Sequence, residues 1–347
     1  MALPASTSPH YLWLRLTCIV AGALCCTAAG FAQAPEPAPP GRLIDLGGRR
    51  LHLNCAGTGT PAVIVENGGG GFSVEWALVQ PAVAEFTRIC TYDRAGYAWS
   101  DRGPIDDGIE QIVDDLHLLL RTAAIEAPYV LVGQSLGCPY ARAYQRRFPE
   151  QVVGLVFVDG THDEDVRMVV NGKREPLALL SREQLPAAHQ EYLKSVPVLN
   201  PGRAGTPRFD RLPPPLQQAR QWAFEKIVRE MGWLPNTLAA AESWRQEFSA
   251  LRKQRQSRYP LGNLPIRVLE RDNGTNETWH AQQVDLAALS SASKLIRAEG
   301  SGHSIHLERP DLVVEAIRDV VRQARAGLSG KAGRSKLRRS CLSVRSL

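Results

Sequence analysis

A chain of 347 residues, 44% of them hydrophobic, can bury one large α/β core with an insertion, or two smaller cores. The formal net charge is +6, and Lys331, Arg334, Lys336, Arg338, Arg339 and Arg345, the six cations after residue 326, equal the whole of it. The balanced remainder lacks the basic surface of a nucleic-acid-binding body, so no nucleic-acid partner is expected, and 327–347 reads as a solvated, disordered basic tail.

In chain order, Arg15 precedes the apolar run Leu16 to Leu24, small residues follow, and Ala32-Gln33-Ala34 fits an A-x-A cleavage site. Residues 1–34 therefore read as a signal peptide, and 35–41 as a proline-rich linker that cannot be helical. The apolar run is short for a bilayer, so no stable span is expected after cleavage; an uncleaved anchor is the alternative. The mature chain would be exported, to the periplasm or beyond. Of the seven cysteines, Cys18, Cys25 and Cys26 leave with the leader, while Cys55, Cys90, Cys138 and Cys341 remain. An oxidising compartment permits disulfides, and Cys55 and Cys90 fall in two predicted strands; their spacing leaves a bridge open.

Residues 43–46 and 50–55 alternate apolar and polar around Gly47-Gly48, a hairpin-like opening. Ala62-Val63-Ile64-Val65-Glu66 is a continuous apolar strand followed by Asn67-Gly68-Gly69-Gly70-Gly71. Helical spacing from Val74 to Phe86, the strand Thr87 to Tyr92 and the helical face of Ile109 to Arg121 come next. A strand ending at Gly133, a helix from Pro139 and a strand from Gln151 to Asp159 continue the alternation. Short β-branched runs alternating with helices predict a doubly wound, mostly parallel α/β sheet. The rhythm breaks over 164–258, a proline-punctuated, charged stretch that reads as helical with no strand. It resumes with Leu264 to Leu269, the helix Glu277 to Leu289, the strand Lys294 to Ala298 and a last helix from Pro310 to about Ala324. The expected organisation is core over 42–163 and 259–326, interrupted by a helical cap. Ligands of open α/β sheets bind at the carboxyl ends of the strands, so the cap would roof that crevice.

Chemistry centres on Gly133-Gln134-Ser135-Leu136-Gly137. The bare G-x-S-x-G pattern also fits an ordinary tight turn; the buried strand before it and the helix after it make it a nucleophile elbow. Ser135 then stands at a helix N-terminus, where the Leu136 N–H and one N–H of the glycine run can hold an oxyanion. That run lacks the Gly-Lys-Ser/Thr ending of a phosphate loop. A serine hydroxyl needs a base, and the base needs a carboxylate to orient it. Among eight histidines, His303 stands in the glycine-flanked loop directly after the last strand, while His306 begins the run into the final helix. For the acid, Asp159 closes the sixth strand and Asp272 follows the seventh, and either loop could reach His303.

With these residues placed, the chain resembles the α/β-hydrolase superfamily. The resemblance covers about 42–163 and 259–326 and rests on Gly133 to Gly137, Tyr92 to Asp101 and Gly300-Ser301-Gly302-His303. It implies a triad with no cofactor or metal and a small-molecule, ester-type substrate, with oxyanion donors on Gly69 and Leu136. Asn67-Gly68 replaces the family's usual His-Gly, which leaves backbone donation intact. Many members carry the acid about nine residues after the proline opening the seventh strand, which is Gly274 here; others carry it at the end of the sixth, where Asp159 stands. The triad adopted is Ser135, His303 and Asp159, and a serine nucleophile argues against epoxide or carbon–halogen opening.

Overall fold

In a computed structural model, which describes residues 36–104, 108–195, 208–230 and 237–343, the alternating runs close into an eight-stranded sheet. The leader, its A-x-A site and residues 344–347 lie outside the described residues. The chain divides into two units, Met1–Pro37 and Ala38–Leu347, and every element named here belongs to the second. Strands β1 (Arg42–Asp45) and β2 (Arg50–Ala56) form the antiparallel opening. Strands β3 (Ala62–Glu66), β4 (Ile89–Tyr92), β5 (Tyr129–Gln134) and β6 (Val152–Val158) follow, and β7 (Arg167–Val170) and β8 (Lys173–Pro176) pair apart from the main sheet. Strands β9 (Ile266–Arg271) and β10 (Ser293–Ala298) complete the order β1-β2-β4-β3-β5-β6-β9-β10, parallel from β4 onward.

The central strands read as unbroken apolar runs because both faces are covered. Ile64, Leu131, Leu155 and Phe157 point into one core with Leu116, Leu119 and Tyr140 from the helices Ile109–Thr122 and Gly137–Arg147. Their neighbours Val63, Val65, Val130, Val132, Val156 and Val158 point into the other, with Val313, Ile317, Val320 and Val321 of the last helix. The period of two along each strand thus sorts one sequence into two layers. Cys55 and Cys90 stand directly opposite each other on β2 and β4 and are joined by a disulfide.

Three expectations need correction. The 164–258 insert is not wholly helical: besides the helices Leu185–Ser195, Pro214–Glu230 and Leu238–Gln254, it carries the β7–β8 hairpin. Asn171 (φ 50°) and Gly172 (φ 75°) make its turn, an Asn-Gly signal masked by the charged residues Arg167, Lys173, Arg174 and Glu175 around it. The run Val74 to Phe86 splits into a 3₁₀ turn at Ser73–Trp76 and a short helix at Gln80–Ala84, which carries Pro81 in its first turn. The last helix spans Pro310–Ser343, through most of the expected disordered tail; Leu, Ala, Lys and Arg favour helix, and no proline follows Pro310 to end it.

The insert departs from and rejoins the core at one ionic cluster. Asp163, fully buried, accepts from Arg142 Nη1 at 2.8 Å and from Arg255 Nε at 2.9 Å. Arg255 also pairs with Glu164 at 3.1 Å and with Asp285.

Candidate active site

Parallel register aligns the carboxyl ends of three strands: Gln134 lies beside Val158, and Val158 beside Leu269. Ser135, the next residue after β5, has φ 51°, a left-handed conformation that costs a non-glycine residue about 1–3 kcal/mol. Its surroundings hold it there. Its N–H donates to Val158 O at 3.1 Å, and its carbonyl accepts from Cys138 N and Thr161 N, both at 3.0 Å. The turn also requires bare backbone: a Cβ on Gly137 would lie 2.0 Å from Glu66 O, and one on Gly133 would lie 2.5 Å from Gly137 O.

Asp159, one residue past β6, is fully buried with φ 48°. Its Oδ2 lies 2.5 Å from His303 Nδ1. Its Oδ1 accepts from Trp279 Nε1 at 2.8 Å and from Arg271 N at 3.1 Å, and Arg271 Nη1 stands 3.4 Å from Oδ2. Both carboxylate oxygens are therefore fixed. The His303 side chain is 43% exposed, and its Nε2 lies 3.4 Å from the side-chain nitrogen Nε2 of Gln134, the residue before Ser135. The structure thus brings Asp159 and His303 together beside the elbow. It does not bring Asp272 there: that carboxylate accepts from Gly300 N at 3.1 Å and Arg297 Nε at 2.8 Å. Those two donors hold it below the usual carboxylate range.

The glycine loop passes against the serine. A Cβ on Gly68 would lie 2.3 Å from Gln134 Oε1 and 3.1 Å from Ser135 Cβ. Asn67 is pinned at both ends of its amide, donating to Tyr92 O at 3.0 Å and accepting from Trp76 Nε1 at 2.7 Å. Among the described residues, neither the Gly69 nor the Leu136 N–H has an internal acceptor.

His52, His162 and His280 are otherwise occupied. His52 forms a second Ser/His/Asp grouping, with Asp93 Oδ2 at 2.7 Å and Ser73 Oγ at 3.3 Å. Both contacts fall on Nδ1, Nε2 faces Pro40 O at 2.9 Å, and the ring is fully buried, so this grouping is a clasp and not a reaction centre. His162 receives Glu164 N on Nδ1 at 3.2 Å and meets Asp285 through Nε2 at 3.0 Å. His280 pairs with Glu270 at 2.8 Å. Sequence reasoning missed Gln134, Arg271 and Trp279 as neighbours of the triad; Trp279 sits on a helix whose position carries no local signal for this contact.

His306 is buried, stacks on Trp76 at 4.9 Å, and has no hydrogen-bond partner on either ring nitrogen. Burial, aided by the charge of His303, pushes it down to about 3. Glu75 Oε2 lies 4.0 Å away, beyond hydrogen-bond reach, and that carboxyl is itself engaged by Arg220 Nε at 3.0 Å. The unfolded imidazole takes up a proton below about 6.5 that the buried ring refuses, so stability is lost as pH falls through that value. His306→Phe, which keeps the stack, is expected to stabilise the fold by about 2 kcal/mol more at pH 5 than at pH 8. Urea melts at the two pH values check this, and an equal gain at both would refute it.

Among the described residues, no group of three or more His, Cys, Asp or Glu is arranged to hold a metal ion, and no helix is long and apolar enough to cross a membrane. An eight-stranded, mostly parallel sheet with a serine at the elbow after β5 and an Asp–His pair on neighbouring loops defines the class of α/β hydrolases. Residues 62–316 match the profile of the Alpha/beta hydrolase family, and the chain belongs to that family. It is 28% identical over 321 residues to Probable transporter efuK of Hormonema carpetanum, covering 82% of this chain and 43% of that protein. The chain spans less than half the length of the first curated relatives it matches. In structure it is similar to an enol-lactonase from Burkholderia xenovorans LB400, with TM-score 0.56 and 19% identity over 81% of this chain and all of that one. It is also similar to a thermophilic esterase from Thermogutta terrifontis, with TM-score 0.55 and 19% identity over 82% of this chain and 98% of that one.

Proposed function

We propose that this protein is an exported serine hydrolase that cleaves carboxylic esters through an acyl-enzyme on Ser135. The observation that carries the reading is the 2.5 Å pairing of Asp159 with His303 Nδ1, which leaves Nε2 on the side of the nucleophile elbow. Ser135 Oγ attacks the acyl carbon while His303 Nε2 takes its proton. The N–H groups of Gly69 and Leu136 hold the oxyanion of the tetrahedral intermediate. Collapse expels the alcohol, which receives the proton from His303. Water, deprotonated by the same nitrogen, then attacks the acyl-enzyme; the acid is released as the ester bond to Ser135 Oγ breaks and His303 returns the proton to that oxygen. Asp159 holds the ring in the tautomer that keeps Nε2 free to accept, and it stabilises the imidazolium that forms.

Ester cleavage draws support from the similarity to an esterase and an enol-lactonase. Amide, peptide or thioester hydrolysis, or perhydrolysis, on the same residues is the second reading. The insert acts as the cap that selects the substrate. Supporting this, Arg220 of the helix Pro214–Glu230 pairs with Glu75 at 3.0 Å, and Lys226 of that helix donates to Ala98 O at 2.7 Å, both on loops beyond strand ends. Export draws support from the leader and from the Cys55–Cys90 disulfide, since such bonds persist in oxidising compartments. The partner expected is a small molecule, with no nucleic acid.

A fluorophosphonate probe with peptide mapping, run beside a panel of p-nitrophenyl esters and a matched amide and thioester, tests the reading. Label on Ser135 and preferential ester turnover are expected. A folded protein that is neither labelled nor active would be a binding protein on a hydrolase scaffold.

A further inference from the structure

One buried cation has no part in the chemistry above. Arg94, three residues from Tyr97 and 3% exposed, lies over the rings of Tyr97 at 4.5 Å and Tyr140 at 5.2 Å. Its terminal nitrogens are spent on main-chain carbonyls of the glycine loop: Nη1 donates to Asn67 O and Nη2 to Gly68 O, each at 2.7 Å. We infer that Arg94 is the positioning residue of the oxyanion site: by holding the Gly68 carbonyl, it sets the direction of the Gly69 N–H. The inference rests on reading Ser135 as nucleophile and Gly69 as donor.

The physical link is the peptide plane. Across a trans peptide, the C=O of one residue and the N–H of the next point in opposite directions. Among the described residues, the cis bonds are Thr60-Pro61 and Ala127-Pro128, so the Gly68–Gly69 unit is trans. Anchoring Gly68 O on the guanidinium therefore turns the Gly69 N–H away from Arg94. The second fork of the guanidinium fixes the preceding plane through Asn67 O, and Gly71 N adds a turn contact to Gly68 O at 3.2 Å. Such an anchor is needed because residues 68–71 carry no side chains, and a glycine run left to itself samples many backbone states. An oxyanion donor works by being aimed before charge develops, so freedom at this plane would weaken it. Lysine cannot replace the fork: its ammonium is a point charge without the planar, two-pronged geometry that meets two successive carbonyls.

Arg94→Lys and Arg94→Met test this, with kcat and KM measured on a short p-nitrophenyl ester. The affinity of an alkyl boronic acid, whose serine adduct is tetrahedral, is compared with that of the product carboxylate. Expected are a kcat loss of about 100-fold, a KM within about threefold, and a boronate affinity that falls while carboxylate affinity holds. A merely structural arginine would move the melting temperature without this split. A folded Arg94→Lys with kcat within about threefold of wild type, or with the whole loss in KM, overturns the inference. Should both variants fail to fold, Tyr97→Leu and Tyr140→Leu, which loosen the guanidinium but keep it, are read by the same split: a kcat loss supports the inference, and an unchanged kcat overturns it. Wild-type protein that is not labelled at Ser135 by a fluorophosphonate would instead overturn the serine-hydrolase reading, and this inference with it.

Discussion

Ser135→Ala is expected to lower kcat/KM for a short acyl ester by at least about 10⁴-fold, with the fold intact. Each element of the site contributes only around the hydroxyl. On the proposed mechanism, without it His303 has no proton to move, and the oxyanion donors have only water's attack to assist. Alanine keeps a Cβ in the same left-handed backbone, so the strain at φ 51° is unchanged and the melting temperature should hold. Residual turnover near wild type, with the purified variant free of contaminating esterase, would remove Ser135 from the mechanism. Ser135→Gly sharpens the test, because it also relieves the backbone: it should be equally inactive yet more stable by about 1 kcal/mol.

The second large effect separates the two candidate acids. Asp159→Asn should reduce kcat by about 10³- to 10⁴-fold, because an amide in that place can present its NH₂ to His303 Nδ1 and favour the wrong tautomer. Asp272→Asn should leave kcat within about threefold, since its carboxylate is engaged by Arg297 and Gly300 and not by His303. A reversed pattern would mean that the Asp159–His303 contact is not the working one and that the loop after β9 rearranges to supply the acid.

The parts of this molecule carried by local pattern were legible from the chain alone. The strand–turn–helix around Ser135 was one, because glycines at fixed offsets and an apolar run before them leave few other conformations. The position of His303 directly after the last core strand was another. The choice between Asp159 and Asp272 was not local. It depends on how β6 and β9 lie side by side, and on Arg271 at the end of β9 and Trp279 of the following helix fixing one carboxylate. The disulfide needed the knowledge that β2 and β4 are neighbours, which the sheet order supplies and cysteine spacing does not. The β7–β8 hairpin was signalled by Asn171-Gly172, but strands of four residues with charged side chains carry too little alternation to stand out. Arg94 lies within the Tyr92 to Asp101 motif, but nothing local signals that its two terminal nitrogens meet the loop carbonyls of Asn67 and Gly68.

The ionic cluster at Asp163 has a consequence for how this protein could be altered. Arg142 is rooted in the helix behind the elbow, whereas Arg255 stands at the far end of the inserted stretch, and one carboxylate clasps both. The two ends of the insert, Asp163-Glu164 and Arg255, are therefore tied to each other and to the core at one place, apart from the contacts its helices make along the way. A transplant joined at Glu164 and Arg252, keeping those grips, would leave every rung of the sheet in place and, on the proposed reading of the insert as a cap, exchange the specificity.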